Sequence, residues 1–305
     1  MPDKILITGG SGLVGTRLSE MLIDQGYEVA HLSRKADKFS KYKTFKWDIE
    51  KQYIDDNAIK YADYVIHLAG AGVAEEKWSD ERKREIYNSR IDSTNLLHHC
   101  LAHTNHHVKG FISTSAIGIY GNSGDQLMSE ESTYANDFLA EVSKAWEAAA
   151  WKMRELDMRT VILRLGIVLS DKGGALPQIA KPVKMMAGAA LGSGKQFMSW
   201  IHIDDACRLY IKAIEDTQFK GVYNAVAPHP VTNKEFTIEL AETMNKPLML
   251  PNVPAFAINL MMGEMSEVVL GGQRVSASKV MRTGFTFEYT YLEEALSSFY
   301  AKEVD

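Results

Sequence analysis

The first fifteen residues constrain the rest of the chain. Lys4-Ile-Leu-Ile-Thr8 is a short apolar run, and Gly9-Gly10-Ser11-Gly12-Leu13-Val14-Gly15 follows it directly. Val14, Leu18, Met21 and Leu22 then recur at helical spacing. The order is strand, glycine turn, helix. Glycine permits a tight turn and close approach of backbone to a ligand, while the helix start offers free N–H groups and the positive end of a dipole. Glycines also cluster in ordinary turns. The flanking strand and helix make this spacing a dinucleotide-binding fingerprint, with Gly9, Gly10, Ser11, Gly12, Leu13, Val14 and Gly15 as expected cofactor contacts.

The next elements extend that reading. Tyr27 to Leu32 forms a second strand that ends in Ser33-Arg34-Lys35. NAD-binding folds place an acidic residue near this point, about 20 residues past the glycines, to take the ribose 2′-hydroxyl. Here Ser33 and Arg34 stand at the strand end, and Asp37 lies beyond it. A guanidinium suits a 2′-phosphate that a carboxylate would repel, so NADP is expected in preference to NAD. The plain alternative is a solvated basic turn. Thr44 to Ile49 reads as a third strand whose Asp48 either touches the adenine edge or caps the following segment. A fourth strand from Ala62 ends in His67-Leu68-Ala69-Gly70-Ala71-Gly72, small residues against which a dinucleotide can lie.

Strand and helix patterns keep alternating. Asp80 to His99 is a helix, Val108 to Ala116 a fifth strand, Phe138 to Leu156 a helix, and Thr160 to Leu169 a sixth strand. Asp204 is expected to cap a helix running to Glu215, followed by a last strand at Gly221 to Ala225 and a helix at Asn233 to Met244. The fold class is therefore α/β, a Rossmann-type doubly wound parallel sheet with its ligand at the carboxyl ends of the strands. Residues 1–169 with about 200–225 are expected to form the NADP-binding Rossmann domain. Residues from about 170–199 with 226–305 would form a smaller substrate-side domain.

Composition removes other classes. A net charge of −5 gives no basic excess for nucleic acid. No apolar run is long enough for a membrane span, no signal peptide is visible, and Cys100 and Cys207 read as reduced thiols, so a cytoplasmic protein is expected. His98, His99, His103, His106 and His107 cluster at a helix end. Three of them share i, i+4 spacing, but no carboxylate sits among them, and no metal is expected. Gly194-Lys195 is not a phosphate loop of the Walker type, because Gln196 stands where Ser or Thr belongs.

At this point the motifs resemble a known family. Thr8-Gly9-x-x-Gly12-x-x-Gly15, His67-Leu-Ala-Gly70, Ser113-Thr-Ser115 with Tyr120-Gly121, and Trp200-Ile-His202-Ile-Asp204-Asp205 are similar to the extended short-chain dehydrogenase/reductases, the nucleotide-sugar epimerase group. More narrowly, Phe138-Leu-Ala-Glu141 with Trp146-Glu147, Gly194-Lys-Gln-x-x-Ser199-Trp200-Ile-His202 and Gly271-Gly-Gln273-Arg274 resemble its atypical epimerase-like branch with a C-terminal domain of unknown function. The resemblance implies that Ser115 orients substrate and that Lys144 holds the nicotinamide ribose. It also implies a tyrosine four residues before Lys144, where this chain has Ala140. Alanine has no proton to give, and displacing a catalytic group by even ~1 Å can cost on the order of 100-fold in rate. Tyr120, at the end of the fifth strand, is the expected substitute donor, with packing aromatic as its plain alternative. The leading expectation is an NADP-dependent oxidoreductase or epimerase-like enzyme acting on a small polar substrate such as a nucleotide sugar. The alternative is a non-catalytic protein that senses NADP(H). The parent family often dimerises through the helix that carries Leu139 to Leu156, so a homodimer is also an expectation.

Overall fold

Side chains in a strand alternate between faces, and the first strand shows what each face meets. Ile5 and Ile7 join one apolar cluster with Leu18, Leu22 and Tyr210, whereas Leu6 joins another with Ala30, Val65, Leu97 and Phe111. Burial on both faces explains the near-continuous apolar runs and requires helices on both sides.

The computed structural model describes residues 2–34 and 40–301. Its first half contains β1 (Lys4–Thr8), α1 (Leu13–Asp24), β2 (Glu28–Ser33), β3 (Lys43–Asp48), β4 (Tyr53–Ile54), α2 (Asp56–Tyr61), β5 (Tyr64–His67), α3 (Asp80–His103), β6 (Gly110–Ala116), β7 (Leu127–Met128) and α4 (Phe138–Trp151). There follow β8 (Arg159–Leu165), β9 (Ile167–Leu169), α5 (Ala175–Lys184), β10 (Phe197–Met198), β11 (Trp200–His202), α6 (Ile203–Glu215) and β12 (Gly221–Ala225). The tail holds β13 (Val231–Thr232), α7 (Asn233–Thr243), α8 (Ala255–Met262), α9 (Glu267–Leu270), β14 (Arg274–Val275), α10 (Ser278–Met281) and α11 (Leu292–Tyr300).

The central sheet has the order β12-β8-β6-β5-β1-β2-β3-β4, parallel throughout except for the β3–β4 pair. From β1 the chain first moves outward through β2, then returns to build from β5 on the other side. That reversal is the topological switch point, where the crevice outside the carboxyl ends takes ligands. It puts Thr8 directly beside His67. A smaller C-terminal domain has its own core around Leu176, Trp200, Phe236, Leu240 and Leu296.

Several elements depart from the sequence reading. The apolar run Thr160 to Leu169 is two strands, because the chain turns at Gly166, where a Cβ would run into the Ser199 carbonyl. The fifth strand starts at Gly110 rather than Val108, α3 continues to His103, and β4 and α2 were not anticipated. The helix of Phe138 is α-helical only to Trp151, and Lys152–Leu156 tighten into a 3-10 turn. Asp204 does not cap α6. His202 does, its Nδ1 accepting from the Asp204 N–H, because the Asp204 carboxylate is held by Arg17 on α1 at 2.6 and 3.0 Å. Val142, Trp146 and Ala149 on α4, and Met153 in the turn beyond it, are buried by the chain itself. No helix among the described residues is long and apolar enough to cross a membrane.

Candidate functional site

The glycine turn is fitted to backbone rather than to side chains. Gly9 has φ +69°, and a Cβ there would lie 3.0 Å from Ala69 N. On Gly15 a Cβ would collide with the Gly9 carbonyl. Gly12 N–H donates to the Gly9 carbonyl at 3.0 Å and closes the turn. Gly12 is also the N-cap of α1 and has no side chain to spend on the helix N–H groups, so Leu13 and Val14 start a helix that no side chain caps. Ser11 is exposed at the tip.

A buried relay fixes the turn to the neighbouring strand end. Thr8 Oγ1 accepts from the N–H groups of Leu68 and Ala69, each at 3.2 Å, and lies 2.7 Å from His67 Nδ1. Burial pushes the His67 ring down to about 3, so it is neutral. With Thr8 oxygen already accepting, its O–H donates to Nδ1. His67 Nε2–H then faces the hydroxyls of Ser93 and Thr94, which donate onward to carbonyls of α3. Leu68, Ala69 and Gly70 are thereby held over the switch point. Arg90 closes the far side of that loop, donating to the Ala71 carbonyl at 2.9 Å and packing where a Gly70 side chain would go.

At the β2 end, Arg34 is exposed just past the strand and Ser33 is half-buried. Lys35 and Asp37 lie outside the described residues. Asp48 takes the Lys51 N–H at 3.1 Å and pairs with its ammonium at 3.7 Å, which is the capping alternative. One residue escaped the sequence reading here. His31 on β2 fills the space beside Gly10, where a Cβ would sit 2.5 Å from the imidazole. Its Nε2 meets Ser19 Oγ at 2.8 Å, its ring lies against Tyr42, and burial pushes it down to about 4.

The region expected to be catalytic is organised around a different residue. Arg164, on β8, has no exposed surface. Its Nε and one Nη donate to both oxygens of Glu147 at 2.7 and 2.8 Å. The other Nη donates to Tyr120 Oη at 2.7 Å, while the Nη on Glu147 also donates to Tyr134 Oη at 2.9 Å. Ser115 Oγ donates to Glu147 at 2.8 Å, and Tyr120 Oη donates to Asn224 at 2.7 Å. Tyr120 is 3% exposed, and burial outweighs Arg164 to push its hydroxyl up to about 12. Lys144 reaches Asn136 at 3.5 Å instead. Among the described residues no hydrogen bond joins Ser115, Tyr120 and Lys144 to one another. Ala140 is fully buried on α4. An arginine inside the apolar run Thr160 to Leu169 was the available signal for this network, since a buried guanidinium needs a carboxylate.

The histidines at the end of α3 take separate partners. His99 and His103 lie tilted against each other at 4.3 Å, and His106 Nδ1 accepts from the Val108 N–H. No group of three His, Cys, Asp or Glu side chains suited to a metal occurs among the described residues. Both cysteines are free thiols.

The chain belongs to the NAD dependent epimerase/dehydratase family, whose model matches residues 5–225, and a domain of unknown function, DUF1731, matches residues 253–299. It is 35% identical over 300 residues to the epimerase family protein YfhF of Bacillus subtilis, covering 98% of each chain. It is also 35% identical over 300 residues to the chloroplastic SDR39U1 homolog of Arabidopsis thaliana, covering 96% of this chain and 85% of that one. The fold matches the crystal structure of human epimerase family protein SDR39U1 with NADPH at a TM-score of 0.89, with 28% identity over 97% of this chain and 98% of that one.

Proposed function

We propose that this member of the epimerase/dehydratase family binds NADP(H) along the carboxyl edge of its sheet, and that its output is the cofactor-bound state rather than the family's tyrosine-driven reaction. The glycine cradle supports the first half. A Cβ at Gly9 or Gly15 would press on neighbouring backbone, and the start of α1 has no side-chain cap, which suits a diphosphate. The SDR39U1 structure solved with NADPH points the same way. Gly9 to Gly15 would hold the diphosphate, Leu68 to Gly70 the central ribose, and Arg34 the 2′-phosphate. When bound, a nicotinamide cofactor can give or take a hydride.

One observation carries the second half. Each hydroxyl at an expected catalytic position is already engaged inside the protein: Ser115 by Glu147, and Tyr120 by Arg164 and Asn224. A group at about 12 that is shielded from solvent is a poor general acid near neutral pH. Titrating the purified protein with NADPH and NADH, followed by nicotinamide fluorescence, tests the binding. Arg34→Ala is expected to weaken NADPH roughly tenfold or more while leaving NADH within about twofold. Equal losses for both cofactors would remove Arg34 from the 2′-phosphate site.

A second reading, an oxidoreductase or epimerase-like enzyme for a small polar substrate such as a nucleotide sugar, has one observation in its favour. Tyr134 is 41% exposed, and its hydroxyl oxygen accepts from Arg164. It is a phenol open to solvent beside the buried network. Cofactor turnover with any member of a panel of carbonyl compounds and nucleotide sugars, lost in Tyr134→Phe, would replace the binding reading with this one.

A further inference from the structure

A cleft of about 690 Å³ opens beside the glycine turn. Four separate parts of the chain meet in it: the turn and first part of α1, the strap Ser170 to Gly173 that follows β9, the start of α6 at His202 to Asp204, and Phe299 of α11. The strap touches the turn closely. Positions for a Cβ on Gly173 and Gly174 lie 3.5 and 3.2 Å from the two methyl groups of Leu13. Gly174 also has φ +74°, a backbone conformation that side-chain-bearing residues rarely adopt.

The charges in the cleft are unequally engaged. Arg17 is held by Asp204 and, at 3.7 Å, by Glu20. Lys172 is exposed and makes no salt bridge among the described residues, although it lies near enough to Asp204 to help hold that carboxyl down, and its neighbour Asp171, also exposed, lines the same cleft. Its backbone is fixed, since its N–H donates to Ser170 Oγ at 3.2 Å. A lysine on a positioned strap thus lines the same cleft as the turn expected to carry a diphosphate.

Taking the NADP(H) reading as its premise, we infer that Lys172 is a cofactor ligand, its ammonium closing the outer side of the diphosphate site. The strap then does what the glycine turn cannot. The turn offers only neutral N–H groups, while Lys172 brings a full charge that pairs with the diphosphate. The diphosphate is common to NADPH and NADH, so Lys172 serves both, whereas Arg34 distinguishes them.

That difference is the test. Equilibrium titration with NADPH and with NADH is carried out on wild type, Lys172→Ala, Lys172→Arg and Arg34→Ala. Lys172→Ala is expected to weaken both cofactors by the same factor, roughly tenfold at low salt, and Lys172→Arg to recover most of that loss. Lys172 lies on the surface, so the substitutions leave the fold intact, and an unchanged thermal midpoint verifies it. Affinities in Lys172→Ala within about twofold of wild type would overturn the assignment, as would a loss confined to NADPH. If wild type binds neither cofactor, the NADP(H) reading falls and takes this inference with it. If wild type binds both and only the lysine variants are silent, the inference alone falls.

Discussion

Position 140 is a buried alanine, and the nearby hydroxyls of Ser115 and Tyr120 are both taken up by the Arg164–Glu147 pair. The glycine turn shows the same logic, residue by residue. Gly10 and Gly15 both exclude a side chain, but for different reasons. At Gly15 the obstacle is the Gly9 carbonyl, which is backbone and cannot yield. At Gly10 the obstacle is the His31 ring, a side chain that a second substitution can remove. Gly10→Ala should therefore destabilise by about 1–3 kcal/mol through overpacking. His31→Ala alone loses the Ser19 bond and the Tyr42 contact. Combined, the two should fall short of their sum by about 1 kcal/mol or more, because the cavity left by His31 accepts the new methyl. Urea unfolding of the four proteins gives the coupling directly. Strict additivity would mean that the ring is not what excludes a side chain at Gly10.

At the scale of elements, β6, β8 and α4 are joined by polar atoms as well as by apolar packing. Glu147 from α4 crosses to Arg164 on β8, and Ser115 on β6 joins them. Removing one charge from such a pair leaves the other buried and unpaired. Arg164→Met is therefore expected to destabilise by about 3–5 kcal/mol, and Arg164→Met with Glu147→Leu to be more stable than Arg164→Met alone. If the double variant is the weaker of the two, the pair is not the main interaction lost. This network also marks how far the sequence could be read. The parallel strands were legible because Ile5-Leu6-Ile7 and Val65-Ile66 are buried on both faces and so are apolar. The break at Gly166 was hidden, since composition does not change across it and the constraint comes from Ser199, far along the chain. Asp204 looked like a cap because the local sequence offers an acid before a helix, but Arg17 claims it from 187 positions away. Cofactor contacts on the backbone follow from local spacing. The partner a polar side chain takes is decided by tertiary packing, and for that reason Ser115, Tyr120 and Lys144 were grouped by motif while the fold gives Ser115 and Tyr120 to the Arg164–Glu147 pair and Lys144 to Asn136.

Across the whole molecule, three buried histidines stand at the joints between layers, and together they make stability depend on pH. His31 ties β2 to α1, His67 ties β5 to β1 and α3, and His202 starts α6 between Tyr289 and Phe299, with ring centroids at 3.7 and 4.7 Å. Burial pushes His31 and His202 down to about 4 and His67 down to about 3. In the unfolded chain each ring takes up a proton near the ordinary value of 6.5. The folded rings are the weaker bases, so their contribution is fully present above about pH 6.5 and is lost as pH falls toward the folded values. Asp204, held below the usual carboxylate range despite its burial by the Arg17 guanidinium, adds a loss of the same sign at lower pH. Fully buried Asp205, pushed up by burial, works in the opposite direction. The window from about pH 6.5 to 5 is where the histidines weigh most, because ordinary carboxylates stay largely ionised through it. Unfolding free energy should fall across that window, each ring contributing up to about 1.4 kcal/mol per pH unit. Urea unfolding at pH 7, 6 and 5 measures the slope for wild type and for His31→Gln, which keeps an amide to meet Ser19 but cannot titrate. A shallower slope in the variant is expected. Equal slopes would show that His31 titrates alike in the folded and unfolded chains, and the neutral ring beside Gly10 would have to be given up.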